Sequence, residues 1–288
     1  MLSPSPLEPP VTALPPPPPL VDAAWLADHL DHPDLVVLDA SIGAHRHAAH
    51  RIPGARPFDL DGALSDHRSD LPHTMPPAAD FQRELRALGV NDRSTVVVYD
   101  GAGIYSSPRA WWILRAMGFD RAAVLNGGLP AWQAAGHPVT DLQSPYSPGD
   151  FTAHPRPGLL TDRDAVAAAL TDPDTTVLDA RSHDRFTGDA PEPRPHLRPG
   201  HLPGSTNLPF TDLLTPDGHY LPLPALHTRL TTATAHRPHL ITTCGSGITA
   251  CILAFAAHLT THPTPSVYDG SWSDWGRPET NLPVATGS

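Results

Sequence analysis

The chain has 288 residues and a formal net charge of −11, and its 19 basic residues are all arginine, with no lysine anywhere. That excludes Schiff-base catalysis and lysine-dependent phosphate loops, and the acidic balance without a basic run argues against a nucleic-acid surface or an anionic membrane as partner. Two cysteines, Cys244 and Cys251, can neither staple a secreted scaffold nor supply a four-thiolate metal site, so a reducing cytoplasm fits and neither metal nor cofactor is expected.

Residues 1–20 hold nine prolines, including Pro15–Pro19, without a basic segment leading into an apolar one, and read as a disordered tail of polyproline character. Leu35-Val36-Val37-Leu38-Asp39-Ala40 reads as a buried strand. Helices follow at Ala79–Leu88, closed by Gly89, and at Arg109–Met117, entered through Pro108 and closed by Gly118; between them lies the strand Val96–Tyr99. The Pro-, Ser- and Gly-rich stretch 141–157 reads as a linker. Thr161-Asp162-Arg163-Asp164 resembles a capping box opening an alanine-rich helix, Ala165–Leu170.

The chain then repeats itself. Leu35–Ala40 recurs as Thr175–Ala180, offset by 140 residues, and Ile52-Pro53-Gly54-Ala55 as Leu202-Pro203-Gly204-Ser205, offset by 150. Val96–Gly101 is answered by Leu240–Gly245 at 144, and Asn126-Gly127-Gly128 with Trp132 by Asp269-Gly270-Ser271 with Trp275 at 143. Four echoes in one order mean a duplicated domain. Each half alternates apolar strands with helices, the pattern of an α/β fold with a parallel sheet covered on both faces. The organisation expected is a tail at 1–20, a first domain at 21–140, a linker at 141–157 and a second domain at 158–288.

The two copies differ where function would divide. Asp100 in the first is replaced by Cys244 in the second, each just after a strand and before a helix, where open α/β sheets bind ligands. In Cys244-Gly245-Ser246-Gly247-Ile248-Thr249-Ala250, backbone N–H groups converge at a helix N-terminus and would stabilise a thiolate. Cys251 falls inside the helical run and reads as a buried thiol. The second copy has about ten extra residues holding Arg185, Pro191-Glu192-Pro193-Arg194 and Arg198; the first has about six extra, between Asp61 and His73. A histidine in a chain with 18 of them carries little weight by itself. Position 250, six after the cysteine, is alanine and not the arginine of cysteine-loop phosphatases and arsenate reductases, which makes phosphate-ester hydrolysis a poor fit. Trp132 and Trp275 read as packing residues and Arg181 as a structural ion-pair residue.

These strings resemble the two-domain rhodanese-type sulfurtransferases, and among them the 3-mercaptopyruvate branch. The resemblance rests on CGSGITA at 244–250, RFTGDAPEPR at 185–194, GHLPGSTNLPFTDLL at 200–214, YDGSWSDW at 268–275, and YSSPRAWWILRAMG with NGGLPAW in the first half. It implies tandem rhodanese domains, each a five-stranded parallel sheet flanked by helices, with catalysis in the second and an inactive first domain across its mouth. By the same resemblance Cys244 is nucleophile and persulfide carrier, with the N–H groups of Gly245, Ser246, Gly247, Ile248 and Thr249 cradling the sulfur. Arg185 and Arg194 then bind the substrate carboxylate, and Asp61, His73 and Ser246 form a serine-protease-like relay. Ile248 stands where valine is usual. The implied reaction moves the sulfur of 3-mercaptopyruvate to a thiol, thioredoxin or cyanide and releases pyruvate. An uncharged Gly-Ser-Gly after the cysteine favours mercaptopyruvate over dianionic thiosulfate, which wants cations at the sulfur end. Two alternatives stay open at this stage, a thiosulfate:cyanide sulfurtransferase and a non-catalytic rhodanese binding module.

Overall fold

The computed structural model describes residues 13–142, 145–260 and 265–287. The first half forms strands β1 (Leu20–Val21), β2 (Leu35–Asp39), β3 (Arg56–Pro57), β4 (Thr95–Tyr99) and β5 (Ala122–Leu125). Between them run helices α1 (Ala23–His29), α2 (Ala78–Ala87) and α3 (Ser107–Ala116), with α4 (Gly128–Ala134) after the last strand. The second half repeats this with β6 (Leu160–Thr161), β7 (Thr175–Asp179), β8 (Thr206–Asn207), β9 (His239–Thr243) and β10 (Ser266–Tyr268). Its helices are α5 (Arg163–Ala169), α6 (His183–Thr187), α7 (Leu223–Thr234), α8 (Ala250–Leu259) and α9 (Ser271–Trp275). All strand pairs within the two sheets are parallel, and the orders β1-β5-β4-β2-β3 and β6-β10-β9-β7-β8 are the same order written twice. The duplication legible in the sequence is therefore a duplication of topology.

Alternation along the strands sorts the core. Val36 and Leu38 of β2, with Val96 and Val98 of β4, face a central cluster shared by both halves; Leu35, Val37, Val97 and Tyr99 face an outer cluster under α1 and α4. The second sheet divides likewise, Leu178 and Leu240 inward, Val177 and Ile241 outward under α5 and α9. In the centre the equivalent helices α3 and α8 pack on each other, Trp111 meeting Phe255 edge-on at 4.7 Å. Helix α8 is apolar all round because it lies between its own sheet and the opposite domain; its residues from Ala250 to Ala257 are buried. Trp132 and Trp275 pack in the outer clusters of their own halves, not between domains.

Three expectations need adjustment. Residues 1–12 lie outside the described residues, but 13–20 are part of the fold: Leu14 is buried in the outer core, Arg121 donates to its carbonyl, and Val124 N–H donates to Pro19 O at 2.8 Å. The polyproline geometry that suggests disorder also suits an extended run along a sheet edge, where missing N–H groups cost nothing. The stretch 145–157 is likewise fastened down, with Phe151 buried, Arg86 Nε donating to its carbonyl at 2.7 Å and Asp150 exchanging bonds with Asn91 and Asp92. Finally, the cap of α5 is Asp162, whose carboxylate accepts from Ala165 N–H at 3.0 Å; Thr161 belongs to β6. Among the described residues no helix is long and apolar enough to cross a membrane.

Candidate active site

Superimposing the repeats by sequence brings Asp100-Gly101-Ala102-Gly103-Ile104 onto Cys244-Gly245-Ser246-Gly247-Ile248 without a gap. Each loop joins a central strand, β4 or β9, to an interdomain helix, α3 or α8, and each second glycine sits at positive φ, 108° for Gly103 and 78° for Gly247. In the first copy the loop closes on its own side chain. The Asp100 carboxylate accepts from the N–H groups of Ala102, Tyr105, Ser106 and Ser107 at 2.8–3.0 Å and from the Ser107 hydroxyl at 2.7 Å. This is an anion cradle already filled, opening onto a cavity of about 230 Å³ lined by Ser41, Ile42, His45 and Tyr105.

In the second copy a thiol stands in place of that carboxylate. The equivalent N–H groups of Ser246, Thr249 and Ala250 have no acceptor among the described residues. Cys244 is buried against the central core, Ile248 is embedded in the same core and Thr249 begins α8, so these two can serve the sulfur only through their backbone. The loop is tied from below by α9. Ser271 Oγ accepts from Cys244 N–H at 3.2 Å and Gly247 N–H at 3.1 Å, and Ser273 donates from backbone and hydroxyl to Gly245 O at 2.9 and 2.7 Å. Cys251 is fully buried, its thiol donating to Gly247 O at 3.2 Å, and burial pushes it up to about 12, which makes it a packing residue at neutral pH.

Charge around the cysteine is sharply divided. Arg181, fully buried, pairs with Asp179 at 2.5 Å and with Glu192 at 2.9 Å, the structural role the sequence suggested. Arg185 from α6 is bound by both carboxylate oxygens of Glu192, at 3.2 and 2.6 Å. Two arginines are thus offset by two buried acids. Arg194 has no hydrogen bond or ion pair with any described residue. A methyl group built on Gly245 would lie 3.2 Å from Arg185 Nη2 and 3.6 Å from Arg194 Nη1, so both guanidinium groups hang beside the residue next to the cysteine. Arg194 also lines an interdomain cavity of about 360 Å³ with Asp70, Pro72, His196 and Arg277.

The first domain completes the site. His73 Nδ1 lies 2.9 Å from Ser246 Oγ and Nε2 lies 3.0 Å from Asp61 Oδ1. Burial holds the imidazole below its ordinary pKa against the opposing pull of Asp61, so Nε2–H donates to Asp61 and Nδ1 accepts from the serine hydroxyl. The Asp61 carboxyl is itself held low: burial acts upward, but the Gly43 N–H and His73 outweigh it. Asp61, His73, Arg185, Arg194 and Ser246 thus gather around the Cys244 loop, whereas Arg198 bonds to backbone carbonyls of Trp275, Gly276 and Leu282. Sequence reasoning gave no role to Glu192, Ser271 and Ser273, and it placed Tyr105, Ser106 and Arg109 in the cleft lining but outside the catalytic set; burial pushes the Tyr105 phenol up, while Cys244, Arg185 and Arg194 act on it electrostatically.

The model of the rhodanese-like domain matches residues 22–135 and again 162–277. The chain belongs to the rhodanese-like domain family. Among curated relatives it is 40% identical to 3-mercaptopyruvate sulfurtransferase of Rattus norvegicus, over 89% of this chain and 91% of the relative. It is 36% identical to thiosulfate/3-mercaptopyruvate sulfurtransferase 1, mitochondrial, of Arabidopsis thaliana, over 92% of this chain and 78% of the relative. Among solved structures it resembles the 3-mercaptopyruvate sulfotransferase SseA from Escherichia coli, with 34% identity, a TM-score of 0.79, and coverage of 89% of this chain and 99% of that one. Both rhodanese-like domains have the same strand order, and the second retains the cysteine.

Proposed function

We propose that the protein is a sulfurtransferase that takes the sulfur of 3-mercaptopyruvate onto Cys244 as a persulfide, releases pyruvate, and passes the sulfur to a thiol acceptor such as thioredoxin, or to cyanide. The single observation that carries the choice of donor is the charge inventory at the cysteine: among the described residues Arg194 alone of the arginines beside it is unpaired, Arg185 is already bound by Glu192, and the loop itself carries no cation. One net positive charge set beside the sulfur position suits a donor whose single carboxylate lies away from the transferred atom.

In this reading the Cys244 thiolate attacks the substrate sulfur. The carbon–sulfur bond breaks, its electron pair goes to carbon as the pyruvate enolate, and a new sulfur–sulfur bond remains on the enzyme. The proton of the substrate thiol ends on the methyl carbon of pyruvate, and Ser246, polarised by His73 and Asp61, is the group placed to carry it. The outer sulfur of the persulfide, held by the open N–H cradle, then bonds to an acceptor thiolate and Cys244 leaves as the thiolate. Two free thiols fit a reducing, cytoplasmic setting.

The test is to supply 3-mercaptopyruvate and thiosulfate separately, with cyanide or dithiothreitol as acceptor, and to follow thiocyanate or sulfide. A kcat/KM for mercaptopyruvate well above that for thiosulfate supports the reading. The reverse order assigns the protein to thiosulfate transfer, and no turnover of either donor leaves only the binding-module reading.

A further inference from the structure

His73 is held in a backbone conformation uncommon outside glycine. Its φ is 61°, in the left-handed region, where a non-glycine residue is strained and persists only if its surroundings over-determine it. What holds it comes from both domains. Arg109, in the first turn of α3, donates Nη2 to the His73 carbonyl at 2.8 Å and to Asp269 Oδ1 at 2.5 Å. Asp269, just beyond β10, uses its other oxygen to accept from Met75 N–H at 2.9 Å. The segment from His73 to Met75 is gripped at both ends by one ion pair that crosses the domain interface.

The arrangement is a poor stability device. Arg109 is fully buried, and its Nε and Nη1 have no hydrogen-bond partner among the described residues. Well-packed apolar residues of similar volume often match or exceed the stability of a buried ion pair, so such a pair with two unsatisfied donors is weak evidence of a stabilising role. Its Nη1 would lie 3.3 Å from a methyl group on Gly247, so the same side chain also backs the catalytic loop. Placement, not stability, is what such a residue supplies.

We propose that Arg109 and Asp269 are positioning residues for the relay: their ion pair fixes the strained backbone of His73, so that one imidazole of the first domain meets both Asp61 and Ser246. The proposal rests on the sulfurtransferase reading above. It explains why catalysis in the second domain needs a first domain that has lost its own cysteine.

The test is a double-mutant cycle on the full chain, measuring kcat and KM separately with 3-mercaptopyruvate. Arg109→Met is expected to lower kcat about 100-fold, the scale of a misplaced catalytic group, with KM little changed because Arg185 and Arg194 are untouched. In a His73→Ala background the same substitution should have almost no further effect, because nothing is left to position. Arg109→Lys, which keeps the charge and can reach one acceptor, should recover part of the loss. Multiplicative losses in the cycle, or a wild-type kcat for Arg109→Met, overturn the proposal. Should Arg109→Met fail to fold, Asp269→Asn, which retains an acceptor oxygen, carries the same cycle. If the wild-type chain does not turn over mercaptopyruvate, the functional reading has failed, and the cycle is run with whichever donor the wild type accepts.

Discussion

His73 and Ser246 belong to different copies of the repeat, 173 residues apart, yet the imidazole Nδ1 sits 2.9 Å from the serine hydroxyl. The relay works only while that nitrogen is unprotonated. Burial lowers the His73 pKa against Asp61, so kcat should stay flat through neutral pH and fall only at a pH below the ordinary histidine value. His73→Gln should be slow and lack that acid limb. Because the unfolded chain takes up the proton more readily than the folded one, stability also declines as pH drops below the ordinary value, so melts across the same pH range separate the two effects. An unchanged acid limb in His73→Gln contradicts the assignment.

Arg194 and Glu192 should fail in opposite ways. Arg194→Met removes a cation that holds nothing within the described residues, so the melting temperature should barely move while kcat/KM for mercaptopyruvate drops roughly 10- to 100-fold, as for a lost charged hydrogen bond. Glu192→Ala leaves Arg181 short of one partner and, among the described residues, takes the Arg185 guanidinium's only partner, and should destabilise the protein by about 3–5 kcal/mol as well as slow it. Denaturant unfolding set beside steady-state kinetics distinguishes them.

Asp100 fills its own cradle, so removing it should create an anion site. Asp100→Ala leaves four N–H groups and a hydroxyl without an acceptor and should cost about 3 kcal/mol. Formate should raise the melting temperature of the variant more than that of the wild type, by occupying the vacated position. Equal shifts in both proteins would count against a preformed cradle.

Ser271 isolates what the loop owes to one hydroxyl. Its φ of 48° already favours glycine, so Ser271→Gly relaxes the backbone while removing the acceptor for Cys244 and Gly247 N–H. Alkylation of Cys244 by iodoacetamide and turnover should both slow, although the backbone strain is relieved. Unchanged rates would mean that α9 does not shape the loop.

The cysteine loop was readable from sequence because everything it needs is local: strand, Gly-Ser-Gly and helix follow one another. The duplicate exposed it further by offering Asp100 at the same station. The cross-chain pairings were not readable. Arg109 and Asp269 are 160 residues apart, and nothing in an arginine after a proline says which carboxylate it will meet. His73 and Asp61 entered only through the family resemblance, since one histidine among 18 in a loop carries no periodic signal. Residues 13–20 misled for a related reason: proline composition reports the absence of N–H donors, whereas Leu14 is buried through tertiary packing that composition does not encode.

Whether Cys244 carries the sulfur is decided by mass spectrometry of the intact protein and its peptides after brief incubation with 3-mercaptopyruvate in the absence of an acceptor. One added sulfur is expected on the peptide containing Cys244, lost on adding cyanide and never formed in Cys244→Ser. No added sulfur in a folded wild-type protein, or its appearance on Cys251 instead, would contradict it.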